Sequence, residues 1–214
     1  MKLSQIAKKY KCFKNNHIHN NVYLVDIYQQ YFEKIRDQKI SFLEIGVYTG
    51  ASISMWLEYF KKISLYMIDI DPTTKKFERD GVEIFIGSQD DQKLIKDITN
   101  KCNKFDVILD DGSHINELTL KSFNLLWGHL KPGGLYIIED LHCSYEPHIS
   151  KVKDSFVRKH WPGMKYNPDT IKLENKREDI NKFLNQKIHD LDWNKTNIFS
   201  IHVYSKSIII QKNK

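Results

Sequence analysis

Four acidic side chains and one histidine follow two short apolar segments of this sequence. They are Asp110, Asp111, Glu139, Asp140 and His114. Carboxylates that lie close together repel one another, so they need a cation, a shared proton or solvent. Oxygen ligands favour a hard ion such as Mg²⁺ or Mn²⁺, and histidine is the side chain most readily poised to take a proton near neutral pH. These residue types indicate a divalent cation beside a proton acceptor. The alternatives are that one acid caps a helix while the others face solvent, and that His114 is only the first residue of a helix.

A glycine-containing loop, Glu44–Ser52, follows an earlier apolar segment and has the composition of a ligand-binding turn. Its two glycines, Gly46 and Gly50, allow the backbone to turn tightly and to approach a ligand closely. The dinucleotide pattern G-x-G-x-x-G is absent, because Tyr48 and Ala51 stand where it requires glycine. We therefore expect a ligand without a pyrophosphate. The expected contacts from this loop are Glu44, Gly46, Tyr48, Gly50 and Ser52.

Polar residues at the ends of the following predicted strands complete a site for an adenosyl ligand. Asp69 lies about 20 residues past the loop, where an acid can accept hydrogen bonds from both ribose hydroxyls. Ser88, Gln89 and Asp90 follow the third predicted strand, where an adenine edge would lie. Asp110, at the end of the fourth strand, completes the expected cofactor contacts. The alternative is that the loop glycines only form turns and that Asp69 only caps a loop.

Apolar runs that alternate with helix-period segments position these residues. The predicted strands cover residues 40–45, 64–68, 82–86, 105–109, 135–138, 198–204 and 208–210. Near-continuous apolar strands separated by helices indicate a parallel sheet that is covered on both faces. We predict an α/β fold with a Rossmann-like, mostly parallel sheet of about seven strands, helices on both faces and a C-terminal antiparallel hairpin. The helix after the fourth strand is expected to end at Lys131–Gly134.

The sequence predicts a single domain over residues 1–214. Within it, residues 1–38 are expected to form an N-terminal helical cap. Residues 141–170 break the strand and helix rhythm with prolines, histidines and aromatic residues, so we expect a lid that passes over the site. His142, Cys143 and His148 are expected to be lid residues, since no second pair completes the spacing of a zinc site.

The composition excludes several classes of protein. The chain has 214 residues, of which 41% are hydrophobic and 12% aromatic, so it can bury a core and is not disordered. It lacks the ~20 consecutive apolar residues of a membrane span and an apolar N-terminal segment, so we expect a cytoplasmic protein without a membrane partner. Its net charge of +6 comes from scattered lysines. Nucleic-acid binding concentrates such charge in a stripe, so we expect no nucleic-acid partner.

Four motifs make this sequence resemble the class I S-adenosylmethionine-dependent methyltransferases. They are Leu43-Glu44-Ile45-Gly46-x-x-x-Gly50, Ile68-Asp69, Asp110-Asp111-Gly112-Ser113-His114 and Lys131-Pro132-Gly133-Gly134. The third motif, together with Ile138-Glu139-Asp140-Leu141, resembles more narrowly the macrocin/mycinamicin-type sugar O-methyltransferases. The resemblance implies S-adenosylmethionine as cofactor, Mg²⁺ held by Asp111, Glu139 and Asp140, and His114 as the general base. Asp111 is thereby also a member of the catalytic set.

The sequence therefore predicts a metal-dependent O-methyltransferase that acts on a sugar hydroxyl. The acceptor would be a nucleotide-activated sugar for a surface polysaccharide or a glycosylated natural product. One alternative is an O-methyltransferase for a catechol-like small molecule, which also gathers carboxylates on Mg²⁺. Others are a dinucleotide-dependent oxidoreductase, against which the missing glycines argue, and a non-catalytic nucleic-acid-binding relative. A homo-oligomer is also left open, because exposed hairpins in such folds often pair.

Overall fold

A seven-stranded sheet is the centre of the protein, which a computed structural model describes over residues 1–15, 18–19, 22–145 and 175–214. Its strands are β3 (Lys39–Ile45), β4 (Lys62–Asp69), β5 (Val82–Ile86), β6 (Phe105–Asp110), β7 (Leu130–Ile138), β8 (Ile198–Tyr204) and β9 (Ser207–Lys212). They lie in the order β5-β4-β3-β6-β7-β9-β8. The first five are parallel, and β9 runs antiparallel to both β7 and β8. A short antiparallel pair, β1 (Ile18–His19) and β2 (Val22–Tyr23), stands apart from this sheet.

Helices cover both faces of the sheet. They are α1 (Leu3–Lys9), α2 (Leu24–Phe32), α3 (Ala51–Tyr59), α4 (Gln92–Lys101), α5 (Asn116–Leu126) and α6 (Arg177–Asp192). The first three pack on one face, where Phe32 and Trp56 meet Phe42 of β3. The other three pack on the opposite face, where Phe123 of α5 and Ile180 of α6 belong to the second buried cluster. Because both faces are covered, the central strands are apolar at successive positions, as the sequence predicted.

The predicted fold class is confirmed, including the C-terminal hairpin, which turns between Tyr204 and Ser207. The prediction that Lys131–Gly134 ends a helix was wrong. Helix α5 ends at Leu126, a 3-10 helix covers Trp127–His129, and the Lys131–Gly134 segment lies inside β7. The pairing of β6 with β7 shifts register beside this segment, and Gly133 has a φ of +75°, so a bulge accommodates the extra residues.

The predicted subdivisions of the chain remain predictions. Residues 1–38 hold α1, α2 and the β1–β2 pair, so the segment is not helical throughout. Of the predicted lid, the described part is a 3-10 helix, Leu141–Tyr145, and residues 146–170 lie outside the described residues. Within the described ranges, no helix is both long and apolar enough to cross a membrane.

The chain order reverses between β3 and β6, which lie side by side at the middle of the sheet. From β3 the chain moves outward through β4 and β5, and it then returns to β6 on the other side of β3. Ligands of open α/β sheets bind at such a reversal, beyond the carboxyl ends of the strands. The predicted site residues lie at or after the carboxyl ends of β3, β4, β5, β6 and β7, so the topology brings them to this one edge.

Candidate functional site

Backbone hydrogen bonds join the carboxyl ends of the three central strands. The Asp111 N–H donates to the Ile45 carbonyl at 3.0 Å, and the Glu139 N–H donates to the Asp110 carbonyl at 2.9 Å. The acidic residues after β6 and β7 are therefore neighbours of the loop after β3. A shared site for a cofactor and a cation, as predicted from the sequence, needs these segments to be adjacent.

A buried lysine, Lys14, lies among these carboxylates. It belongs to a 3-10 helix, Phe13–Asn15, and is 4% exposed. Its Nζ donates to Asp111 Oδ2 at 2.5 Å and to Glu139 Oε1 at 2.8 Å, and it lies 3.2 Å from Glu44 Oε1. Lys14 could not be predicted from the sequence, because the partner acids are separated from it by up to 125 residues and no local motif marks it.

Burial and charge together set the ionisation of this group. Burial alone would lower the pKa of Lys14, but Asp111, Glu139 and Glu44 hold that pKa well above its usual value. Burial raises the pKa of Glu139, the charge on Asp111 raises it further, and Lys14 opposes both effects. The lysine is therefore a permanent positive charge at the centre of the acidic group, and it already serves as one counter-ion.

Asp111, His114 and Asp140 form the second part of the acidic group. One possible ligand atom from each lies within 4.8 Å of those of the other two, and all three residues are partly exposed. His114 Nε2 is 3.6 Å from Asp140 Oδ2, and His142 Nδ1 is 3.7 Å from Asp140 Oδ1. Two carboxylates and an imidazole suit a divalent cation. The structure thus gathers two of the three predicted metal ligands around His114, whereas Glu139 faces Lys14.

Three of the predicted site residues have left-handed backbones, which are uncommon for residues other than glycine. The φ angles are +51° at Tyr48, +54° at His114 and +54° at Asp140. Such conformations cost about 1–3 kcal/mol each and persist where the surrounding structure enforces them, often at functional sites. Three of the six residues other than glycine that have left-handed backbones in the described part of the chain thus lie at this edge of the sheet.

Asn175 enforces the conformation of the His114 segment. Its Nδ2 donates to the His114 carbonyl at 2.8 Å, and its Oδ1 accepts from the Asn116 N–H at 2.9 Å. It is buried, and Nδ2 also lies 3.3 Å from the Cys143 carbonyl. Asn175 could not be predicted as a site residue, since an asparagine before a helix gives no signal of a contact some 60 positions away.

The loop after β3 lies directly against the acidic group. Gly46 has a φ of +99°, and a Cβ at this position would lie 2.2 Å from the Asp111 carbonyl oxygen. Gly50 has a φ of +74°, and a Cβ there would lie 2.8 Å from the ring of Phe77. The tight turns predicted at both glycines are present, and the predicted close approach to a ligand remains a prediction. The predicted cofactor loop and the predicted metal ligands are consequently in contact.

We expect the substitution Gly46→Ala to lower the free energy of unfolding by about 3 kcal/mol, because it combines backbone strain with an overlap against Asp111. Urea denaturation measures this change. Gly128→Ala is the matched control, since a Cβ at Gly128 meets nothing within 4 Å. Equal stabilities of the two variants would contradict the tight packing of the loop.

Asp69 holds this loop through its carboxylate. Oδ2 accepts from the N–H groups of Val47 and Tyr48 at 2.8 and 3.1 Å, and Oδ1 accepts from the Asp71 N–H at 2.8 Å. Each carboxylate oxygen has two lone pairs, so capacity remains for a ribose hydroxyl. The loop-capping role that the sequence left open is therefore present, and the ribose contact remains a prediction.

Glu44 and Ser52 bond to each other below the loop. Glu44 Oε2 accepts from Ser52 Oγ and from Trp56 Nε1, both at 2.9 Å, and the side chain is 1% exposed. These bonds tie α3 to the end of β3. The predicted direct contacts of Glu44 and Ser52 with a cofactor remain predictions. Tyr48, a third predicted contact, is exposed at the surface of the loop.

Gln89 links the ends of β5 and β6. Its Nε2 donates to Asp110 Oδ2 at 3.0 Å and to Ser122 Oγ at 2.9 Å, and its Oε1 accepts from the Ser113 N–H at 2.8 Å. Gln89 and Asp110 are both buried, and burial raises the pKa of Asp110 to about 7. Their side chains thus position the segment before His114, and their predicted cofactor contacts are untested.

Ser88 and Asp90 flank Gln89 and are more accessible. Ser88 Oγ donates to Asp90 Oδ1 at 2.6 Å, and both side chains are partly exposed. They are therefore the better placed of the predicted adenine contacts. Of the predicted lid residues, His142 and Cys143 are partly exposed, and His148 lies outside the described residues.

Residues 43–141 match a family described as methyltransferase domain. Together with the strand order and the site at the reversal of the sheet, this match identifies a methyltransferase domain in the chain. The resemblance to the macrocin/mycinamicin-type sugar O-methyltransferases is confirmed as well. The chain is 32% identical to demethylmacrocin O-methyltransferase of Streptomyces fradiae over 152 residues, which are 68% of this chain and 38% of that protein.

Two further comparisons agree with this resemblance. Mycinamicin VI 2''-O-methyltransferase of Micromonospora griseorubida is 33% identical over 152 residues, which cover 68% of this chain and 37% of that protein. The solved structure of the MycE methyltransferase from the mycinamycin biosynthetic pathway, in complex with Mg, SAH and mycinamycin VI, has a TM-score of 0.74 and 28% identity. That alignment covers 100% of this chain and 55% of the other. The chain thus spans about half or less of the length of these relatives.

Proposed function

We propose that this protein transfers a methyl group from S-adenosylmethionine to a sugar hydroxyl, with the help of a divalent cation. The observation that carries the proposal is the contact between Gly46 of the predicted cofactor loop and Asp111 of the acidic group. A donor bound over the loop and a hydroxyl bound at Asp111 would therefore be adjacent. Such proximity is the main requirement of a direct transfer between two bound molecules.

Asp111, Glu139 and Asp140 would hold the cation. Support comes from the cluster of possible ligand atoms within 4.8 Å of one another and from MycE, whose structure contains Mg. A bound divalent cation supplies charge that lowers the pKa of a coordinated hydroxyl. The donor set is rich in oxygen, which suits Mg²⁺ or Mn²⁺.

His114 is the proposed general base. Asp140 lies 3.6 Å from its Nε2 and would stabilise the imidazolium that forms after proton uptake. The deprotonated hydroxyl oxygen then forms a bond to the methyl carbon, the carbon–sulfur bond breaks, and the sulfur keeps the electron pair. The sulfonium is already a good leaving group, so the chain's own residues need only align the reactants, exclude water and hold the proton on His114.

The acceptor class rests on the relatives. Demethylmacrocin O-methyltransferase and mycinamicin VI 2''-O-methyltransferase carry glycosylated natural products in their names, which supports such an acceptor here. A nucleotide-activated sugar is the alternative acceptor, and the net charge of +6 is compatible with its diphosphate. A parallel assay of both acceptor types, with catechols as a third set, decides among them by the product that carries the methyl group.

Calorimetric titration with S-adenosylhomocysteine, with and without Mg²⁺, tests the cofactor. We expect micromolar-range dissociation constants, of the order of common small-ligand affinities, because the loop offers backbone and carboxylate partners to a nucleoside. NADH serves as the control ligand and is expected not to bind. Binding of NADH without binding of S-adenosylhomocysteine would overturn the proposal in favour of an oxidoreductase.

A further inference from the structure

The position of Lys14 conflicts with the use of the same carboxylates by a metal ion. Its Nζ donates to Asp111 Oδ2 at 2.5 Å and to Glu139 Oε1 at 2.8 Å. Mg²⁺ binds oxygen ligands at about 2.0–2.1 Å, so a cation held by this Asp111 oxygen would lie within about 5 Å of the ammonium. Two positive charges at that distance, away from bulk water, repel strongly.

The burial of Lys14 makes this conflict energetically important. The side chain is 4% exposed, and the Glu44 and Glu139 side chains are each 1% exposed, so water screens their charges poorly. A lysine in such a place is stable only while the acids surround it. A divalent cation would bring twice the charge of this ammonium to the same carboxylates.

We propose that Lys14 and a divalent cation bind Asp111 and Glu139 alternately, so that Lys14 sets the affinity of the site for metal. This inference rests on the proposed function, because it takes the acidic group as the metal site. In the metal-free protein, Lys14 holds the carboxylates together. When the cation binds, the ammonium leaves them, and Glu139 becomes available as the third ligand.

Mn²⁺ titration of two lysine variants tests the competition. Lys14→Met is expected to bind Mn²⁺ at least about tenfold more tightly than the unmodified protein, because the competing charge is gone. Lys8→Met is the matched control: Lys8 is an exposed lysine of α1, and its loss removes the same charge from the same terminal region. We expect the Mn²⁺ affinity of Lys8→Met to stay at the unmodified value.

Amine labelling of the unmodified protein tests the movement itself and needs no variant, so it decides the question even if Lys14→Met does not fold. Mass spectrometry is expected to find Lys14 protected from an acylating reagent without metal and labelled when Mn²⁺ is saturating. Equal Mn²⁺ affinities, with Lys14 protected in both states, would overturn the inference and leave the proposed metal site intact. Failure of Mn²⁺ to bind either protein would overturn both.

Discussion

Replacing His114 with alanine is expected to lower kcat by about 100- to 10,000-fold, the usual contribution of a general base. Affinity for S-adenosylhomocysteine should stay essentially unchanged, because the imidazole lies beside Asp140 on the acidic side of the site. The left-handed backbone at His114 is held by Asn175 through the His114 carbonyl, so loss of the side chain leaves that bond in place. Methyl transfer to the acceptor and calorimetric binding of S-adenosylhomocysteine measure the two quantities separately.

The matched control is His189→Ala, since His189 is an exposed histidine at the end of α6 and lies outside the acidic group. We expect full turnover in this variant. If His114→Ala retains the turnover of the unmodified protein, the assignment of the base is wrong. A parallel loss of cofactor affinity would instead indicate that His114 supports the whole site.

The second large effect is expected from Asp111→Asn. Asparagine keeps the size of the side chain but removes the charge that both Lys14 and a divalent cation require. Activity should therefore fall to the level of the unmodified protein in chelator, and added Mg²⁺ should not restore it. Initial rates measured after removal of metal, across a Mg²⁺ series, check this expectation.

Asp97→Asn is the control for this experiment, because Asp97 is an exposed acid on α4. Its dependence on Mg²⁺ should match that of the unmodified protein. The proposed metal site would be refuted by an unmodified enzyme that works equally well in chelator. It would also be refuted by an Asp111→Asn variant whose activity responds to Mg²⁺ as before.

The sequence predicted the sheet well because burial on both faces leaves a direct signal. Every residue from Val107 to Leu109 of β6 is fully buried, and such a run has few alternatives to a central strand. The error at Lys131–Gly134 has an equally local reason. Proline and glycine normally interrupt regular structure, but the register shift beside β6 lets them remain in a strand as a bulge.

Those residues of the candidate site that follow the ends of strands could be predicted from the sequence. Gly46 and Asp111 follow neighbouring strands, so topology alone brings them together. Lys14 and Asn175 could not be found in this way, since their partners lie far away in sequence. Gln89 follows β5, and its position suggested a cofactor contact. Its buried side chain also hydrogen-bonds Asp110 and the Ser113 N–H, because buried polar groups need hydrogen-bond partners, and the sequence did not reveal this role.

The ion pair between Lys14 and Glu139 also places the first turns of the chain late in the order of folding. It spans 125 residues, so the ribosome releases the lysine long before the last of its partners. Contacts of such long range close slowly, because the entropy of closing the intervening chain opposes them until the sheet has assembled. The charged centre therefore forms only after β3, β6 and β7 are in register. The 3-10 helix that carries Lys14 is therefore expected to dock only once this edge of the sheet exists.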